Sequence, residues 1–565
     1  MFQFADGLVG HRLPPRCIAR FSAFLILLGC AEGASSSGSE LAGTLVIATT
    51  AEPDILFPPL VTNTPARQVT ELVYDYLAAV GPDMNDVGDA GFRPQLAHSW
   101  SWAPDSLSIA FRLDPRARWH DGQLVRSHDI QFTYKLYTDS TLGSSTGTQL
   151  GNIDSVSTPD SLTAVFWFRR RAPQQFFDAA SQMMILPSHV FGGVRADSLR
   201  NAASEITPVG SGRFRFVRWV RGSALELGPD TSNFRGPPRL RRLIWTVSPS
   251  AVTATSRLFG GEVDVYEPLR RENVTQAVAS TDVKIVSLAS TDYVFMQFNT
   301  RHPADRRRPH RLFASREMRR ALSMSVNREA LVRNVFDSLA FPGIGPTIRA
   351  FPSTDTTLEQ IPYDTVRASR VLDSLGWPRT TPSGLRRRNG QDLSFRLLVP
   401  ASSVNRIRMG VLLQEQFSKI GVRVTIDQME YATFAKRQQS RDFDAALGTF
   451  HLGSSPGALR ETWGGAAARD PTGLNYGGWV SPSFDAYTDS AISAMDPDAS
   501  RRYYNHAYRI AIAEAPAIWL YEPRMVIGIH RRVTTGPMRP DAWWSSLADW
   551  YISPTARMAR DRTGK

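Results

Sequence analysis

Leu107, Ile109, Phe111 and Leu113 occupy every second position with polar or small residues between them, and Leu225 and Leu227 flank Glu226 in the same way. A period of two sends alternate side chains to opposite faces of an extended chain, so both stretches predict half-buried strands. Such patterns dominate the first 300 residues. Farther on, Leu393, Phe395 and Leu397 alternate, Asn405 to Ile420 carries Ile407, Val411, Leu412 and Phe417 near the helical period, and Val422, Val424 and Ile426 resume the alternation. Gly421 can take the left-handed conformation that closes a helix. Strand, helix and strand make a βαβ unit with parallel strands and a right-handed crossover. A second helix is predicted from Thr365 to Leu375, closed by Gly376. A third starts at Asp496, with Pro497 in a first turn where its missing N–H costs nothing, and stops before Pro516.

Between these elements, Pro82 to Gly91 and Arg301 to Arg311 have the composition of linkers, and domain joints are expected near both. Asn201 to Arg213, with Pro208, Gly210 and Gly212, is expected to carry the chain back between domains. At about 150 residues per domain, a chain of 565 residues has room for three or four. No repeat of solenoid or propeller length is visible.

The apolar run Phe21 to Leu28 follows the basic stretch Arg12 to Arg20 and leads into Gly29 and Cys30. It is shorter than the roughly 20 residues that span a bilayer but fits a cleavable export signal. LLGC resembles the bacterial lipobox, which implies lipid attachment at Cys30 and a mature chain beginning there. Ser35 to Ser39 then read as part of a flexible tether over 31–41. Cys17 and Cys30 are the only cysteines, so no disulfide framework is expected after export. The formal charge of +12 is spread along the chain, mostly as arginine, and its clusters at Arg306 to Arg308 and Arg386 to Arg388 lack the interleaved aromatics of a single-strand binder. No nucleic-acid partner is expected. The ten histidines form no HExxH, and no metal or cofactor is expected. GSSTG at Gly143 to Gly147 satisfies GxSxG but sits in a polar loop instead of between a strand and a helix, which argues against a hydrolase.

GTLVIATTAEPDILFPPL near the start, LAHSW (Leu96 to Trp100), RWHDGQLVRSHDIQFTY (Arg118 to Tyr134), ILPSHVF (Ile185 to Phe191), PVGSGRFRFVRW (Pro208 to Trp219), GGEVDV (Gly260 to Val265), MQFNT (Met296 to Thr300), REMRRALSMSVNREALV (Arg316 to Val332), IGVRV (Ile420 to Val424), DFDA (Asp442 to Ala445) and APAIWLY (Ala515 to Tyr521) occur in this order. Together they resemble family 5 of the extracytoplasmic solute-binding proteins, the oligopeptide- and dipeptide-binding components of ABC importers. The resemblance implies an α/β, two-lobed, periplasmic-binding-protein-like fold of type II with an extra inserted domain and a hinge-closing cleft. On this chain it implies a discontinuous lobe 1 (42–83 with 205–303 and 521–565), an inserted domain (84–204) and lobe 2 (304–520). The implied function is a monomeric, lipid-anchored extracytoplasmic protein without catalysis. It would capture a peptide or related small ligand for an ABC permease and its ATPase.

The resemblance places ligand between the loop after the first strand and the strand ends of lobe 2. That nominates Glu52, Pro53, Asn63 and Thr64, with Tyr293 and Phe295 on a crossing strand and Phe450, His451, Trp463, Asn475, Tyr476 and Trp479 from lobe 2. Aromatics suit such a cleft through their large, rigid contact surface. Phe295 and Tyr476 also fit a core, and His451 also fits a solvated loop. In the motif around Trp119, His120, Asp121 and Gly122 the residues themselves suggest a structural turn. One departure stands out. Where peptide binders carry a tryptophan and, three residues on, an aspartate for the ligand's α-amine, this chain has Phe450 and Gly453. A buried ammonium without a partner is costly. This leaves open Asp470 or Glu461 as substitutes, or a blocked peptide, sugar, opine or metal chelate as ligand. A ligand sensor or peptide-binding chaperone on the same fold is the rival reading.

Overall fold

The computed structural model describes residues 41–351, 353–379, 384–452 and 457–562. The export signal, Cys30, the tether up to residue 40, and Gly453 lie outside them. Twelve strands form one sheet: β1 (Thr44–Thr49), β2 (Phe214–Val220), β3 (Ala224–Pro229), β4 (Arg242–Val247), β5 (Val265–Tyr266), β6 (Val283–Ala289), β7 (Asp292–Phe298), β8 (Ala340–Pro342), β9 (Ser394–Pro400), β10 (Arg423–Met429), β11 (Ala445–His451) and β12 (Ala517–His530). Their spatial order is β10-β9-β11-β7-β12-β5-β1-β4-β3-β2, with β6 and β8 also paired to β12.

β12 holds this sheet together. Its 14 residues pair with β7 and β8 through Ala517 to Pro523, and with β6 and β5 from Arg524 onward. Period-two alternation distributes its side chains among three cores. Ile518 and Leu520 join Val294, Met296, Leu397 and Leu447, while Trp519 joins Tyr293 and Phe295 on the other face. Past the middle, Ile527 and Ile529 pack with Leu45 and Leu243, and Val526 packs beneath β1 with Val46. Only Pro523 to Met525 are half-buried within the strand. There, and between β6 and β7 at Ser290 and Thr291, the chain crosses from one half of the sheet to the other.

The βαβ expectation matches what is found. β9 and β10 are parallel in the register Phe395 to Val424 and Leu397 to Ile426, joined by the helix Val404–Lys419. Ser403 caps that helix through the Arg406 amide, and Gly421 follows at φ +79°. The buried stripe is Met409, Leu413 and Phe417, spaced by four. Val411, assigned to the apolar face from sequence, lies two residues off that stripe and is 49% exposed. The helices Thr365–Ser374 and Pro497–Glu514 begin at side-chain caps from Asp364 and Asp496. Arg301 to Arg311 differs from the expected linker. It forms a short hairpin of Arg301–His302 and Asp305–Pro309, with Asp305 accepting the Arg307 amide in its turn. A separate four-stranded antiparallel sheet spans Ala97–Trp102 to Thr163–Phe168, cored by Trp100, Phe111, Phe166 and Phe176.

A buried ionic knot fastens the C-terminal segment to β1. Asp264 accepts the Arg532 guanidinium at 2.6 and 2.9 Å, Arg560 at 2.7 Å and the Val46 amide at 2.9 Å. Asp561 takes the Thr44 amide at 2.6 Å and also binds Arg532. Removing one member leaves the others charged, dry and uncompensated, which typically costs about 3–5 kcal/mol. Asp264→Asn is therefore expected to lower the urea-unfolding free energy by about that amount. Arg169→Ala, which removes the exposed pair with Asp154, should change it by less than about 1 kcal/mol.

Candidate functional site

A cleft of about 930 Å³ opens between the two halves. One wall comes from the helix Thr64–Val73, the segment that follows it, the four-stranded-sheet region and residues 537–549. The other comes from Gly457 to Glu461 and Ile492. Asn63 fixes the start of the first helix by accepting the Ala66 amide, with Pro65 in the first turn. Arg67 and Glu71 are one helical turn apart, so their side chains meet on one face at 2.7 Å. The second oxygen of Glu71 accepts the Trp544 indole at 2.7 Å, and the Arg67 guanidinium lies 5.6 Å above the Trp544 ring. Glu71 thus holds Arg67 firmly protonated, well above its ordinary range.

The remaining charges on this wall are organised in the same way. Asp75 binds Arg235 and accepts the Ser211 hydroxyl at 3.0 Å. Arg213 meets Asp549 at 2.6 Å, and Arg539 forks onto Asp541 at 2.9 and 3.0 Å. Pre-oriented pairs of this kind present fixed dipoles to a ligand without reorganising. On the opposite wall, Arg460 pairs with Asp489 at 2.8 Å while Trp463 turns inward.

The residues nominated from sequence fall into three groups. Tyr293, Phe295, Phe450 and Trp463 converge in one aromatic cluster, joined by Trp519, which was not nominated. Phe295 lies 5.1 Å from Phe450 and 5.2 Å from Trp463, and Trp463 lies 4.7 Å from Trp519. The Trp463 indole donates to the Tyr293 hydroxyl at 2.8 Å. All but Phe450 are buried, so the cluster is packed core that seats the helix Ala458–Trp463 through Trp463, and none of the twelve nominated residues is among those lining the cleft. A second group shapes backbone. Glu52 accepts the Trp219 indole and the Gly222 amide, both at 2.9 Å, and its carbonyl accepts the Asn63 amide group. Pro53 is buried and Thr64 exposed. Asn475, wholly buried, donates to the carbonyls of Trp463 and Trp479 at 2.8 Å, and the Trp479 indole donates to Glu514. Tyr476 packs away from these with Leu398, Phe434 and Phe443. Third, His451 is exposed and meets Asp292, its cross-strand partner, at 2.8 Å.

Two other sequence features have structural tasks. His120 uses one ring nitrogen on the Gly212 carbonyl and the other on the Gly210 amide, while Gly210 lies so close to Val73 that a Cβ there would sit 1.8 Å from its carbonyl oxygen. Ser145 of GSSTG opens a short helix that follows a turn, so no nucleophile elbow is formed. Arg67, Glu71, Arg539 and Asp541 were missed from sequence, although the four-residue spacing of the first two is a legible signal.

Asp178 lines the cleft on the helix Gln175–Ser181. Burial and the charge of Asp86 push its carboxyl up to about 7. A carboxyl raised in the folded state contributes stability below the unfolded value near 4, and that contribution is lost as pH rises through 7. Asp178→Asn removes the loss, so its melting temperature relative to the parent should climb between pH 4 and 7 and level off above. Trp463→Ala, in the buried ring cluster, should cost about 3–5 kcal/mol in urea unfolding.

The family profile described as "Bacterial extracellular solute-binding proteins, family 5 Middle" matches residues 91–467. The chain is 23% identical to the oligopeptide-binding protein AppA of Bacillus subtilis (strain 168), over 94% of this chain and 96% of that protein. The solved structure of Bacillus subtilis AppA in complex with a nonapeptide superposes with a TM-score of 0.73 at 22% identity, covering 91% of this chain and 99% of that one. NikZ from Campylobacter jejuni in complex with Ni(L-His) superposes with a TM-score of 0.74 at 20% identity, covering 90% and 99%.

Proposed function

The chain belongs to the bacterial extracellular solute-binding proteins of family 5, and from that premise we propose that it captures a peptide or a related small ligand in the cleft and delivers it to an ABC importer. The observation that carries this reading is the cleft itself. It is large enough for a short peptide, it is lined from both halves, and the halves are joined through β6–β7 and β12. A ligand touching both walls stabilises only the closed arrangement, so binding shifts the population toward a form that a permease can recognise. The chain's relatives are solute carriers and not enzymes, and nothing in the cleft is asked to perform chemistry.

On this reading, ligand lies in the cleft between the Arg67–Glu71 pair and the helix Ala458–Trp463, with half-buried Phe450 and exposed His451 proposed as further contacts from the strand Ala445–His451. Tyr293, Phe295, Trp463, Asn475 and Trp479 hold those surfaces in place. The division into 42–83 with 205–303 and 521–565, 84–204 and 304–520 belongs to the same proposal, as do anchoring through Cys30 outside the cytoplasm and partnership with permease and ATPase subunits. No helix among the described residues is long and apolar enough to cross a membrane. A lipid on Cys30 would hold the chain at the membrane of the importer it serves.

The test is a thermal-shift and calorimetric screen of the chain from Ala31 onward. It uses short peptides with free and acetylated N-termini, together with opines, sugars and histidine–metal chelates. A ligand at about 100 times its Kd adds roughly 2.7 kcal/mol to stability. Saturable stabilisation by at least one class is the expected result. A flat response to every class would remove the solute-capture reading.

A further inference from the structure

Six carboxylates and seven arginines line the cleft, and their pairing is uneven. Glu71, Asp75, Asp541 and Asp549 each hold an arginine. Asp178 and Glu461 have no basic partner among the described residues, and they stand on opposite walls. The lining arginines not engaged by a carboxylate, Arg93 and Arg170, are exposed, where water and salt screen them.

Asp178 is the more telling of the two acids. It is half-buried, and behind it lies Asp86, 4% exposed and held by the Gln174 side chain at 2.5 Å. Two carboxyls stand together here, and burial and the Asp86 charge favour a proton on Asp178 in the absence of a cation. Glu461 projects from the helix Ala458–Trp463 and is exposed on the facing wall.

We propose that the cleft selects ligands carrying a cationic amine or guanidinium, with Asp178 receiving that group on one wall and Glu461 closing over it from the other. The proposal rests on the reading of the cleft as the ligand site and adds the chemistry of the ligand. A neutral ligand leaves Glu461 without a partner and Asp178 either protonated or charged beside Asp86, so closure over it gains nothing from either acid. A cation between them draws the proton off Asp178 and forms a charge-assisted hydrogen bond with each acid, so closure and charge recognition become one event. The neighbouring Arg–carboxylate pairs are already satisfied and leave the selection to these two acids.

The test measures calorimetric affinities at pH 8 for the N-acetylated, C-amidated tripeptides Ala-Lys-Ala, Ala-Arg-Ala and Ala-norleucine-Ala, in the parent chain and in Asp178→Asn and Glu461→Gln. The lysine and arginine peptides should bind at least about tenfold tighter than the norleucine peptide. Asp178→Asn should abolish that preference, and Glu461→Gln should weaken it while leaving the urea-unfolding midpoint unchanged. Urea unfolding of Asp178→Asn establishes that it is folded. The proposal is overturned if the norleucine peptide binds as tightly as the basic ones, or if folded Asp178→Asn keeps the preference. It also falls if no tripeptide binds. In that case a ligand found among the opines, sugars or chelates would leave solute capture standing, and silence there as well would remove both.

Discussion

One strand belongs to both halves of the molecule. Ala517–His530 gives its first part to β7 and β8 and its second to β5 and β6, and period-two alternation commits its side chains to three different cores. Neither half can be completed without it, and each half constrains the other through it. The middle of the strand, Pro523 to Met525, is its least buried part, and just before it the buried Glu522 pairs with Arg349, its carboxyl pushed up to about 7 by burial although the guanidinium pulls the other way. A rigid strand on both sides of a looser centre is the mechanical form of a hinge.

The two walls of the cleft are built by different physics. The first-half wall depends on charge, with the Arg67–Glu71 pair over Trp544 and the Asp75–Arg235, Arg213–Asp549 and Arg539–Asp541 pairs on the same wall. The second-half wall depends on ring packing, because the helix Ala458–Trp463 is seated through Trp463 on Tyr293, Phe295 and Trp519.

Local pattern was the most legible part of the sequence. The βαβ unit, its glycine stop at Gly421 and the Asp496 cap each depend on a few neighbouring residues, and each lies within two residues of its expected place. The hairpin at Arg301 to Arg311 was read as a linker because its strands are short and uniformly charged, so they show no alternation. At the cleft, aromatic identity was visible but its orientation was not. Tyr293 and Phe295 face the ring cluster because Asp292 to Phe298 is hydrogen-bonded on both edges, a property of partners far away in sequence. Trp544 carried no local signal, and Trp519, although part of APAIWLY, gave no sign of its place in the ring cluster, since each acquires its task only when the C-terminal segment returns to the rest of the fold.

The central claim is that the halves close on ligand about the shared strand. It is tested most directly by the distance between spin labels at Ser223 and Arg502, one exposed site on each half, measured by pulsed electron spin resonance with and without a saturating ligand whose binding has been verified by calorimetry. The account predicts a shorter and narrower distance distribution when ligand is bound. An unchanged distribution at full occupancy would contradict it and leave a rigid cleft that binds without closing.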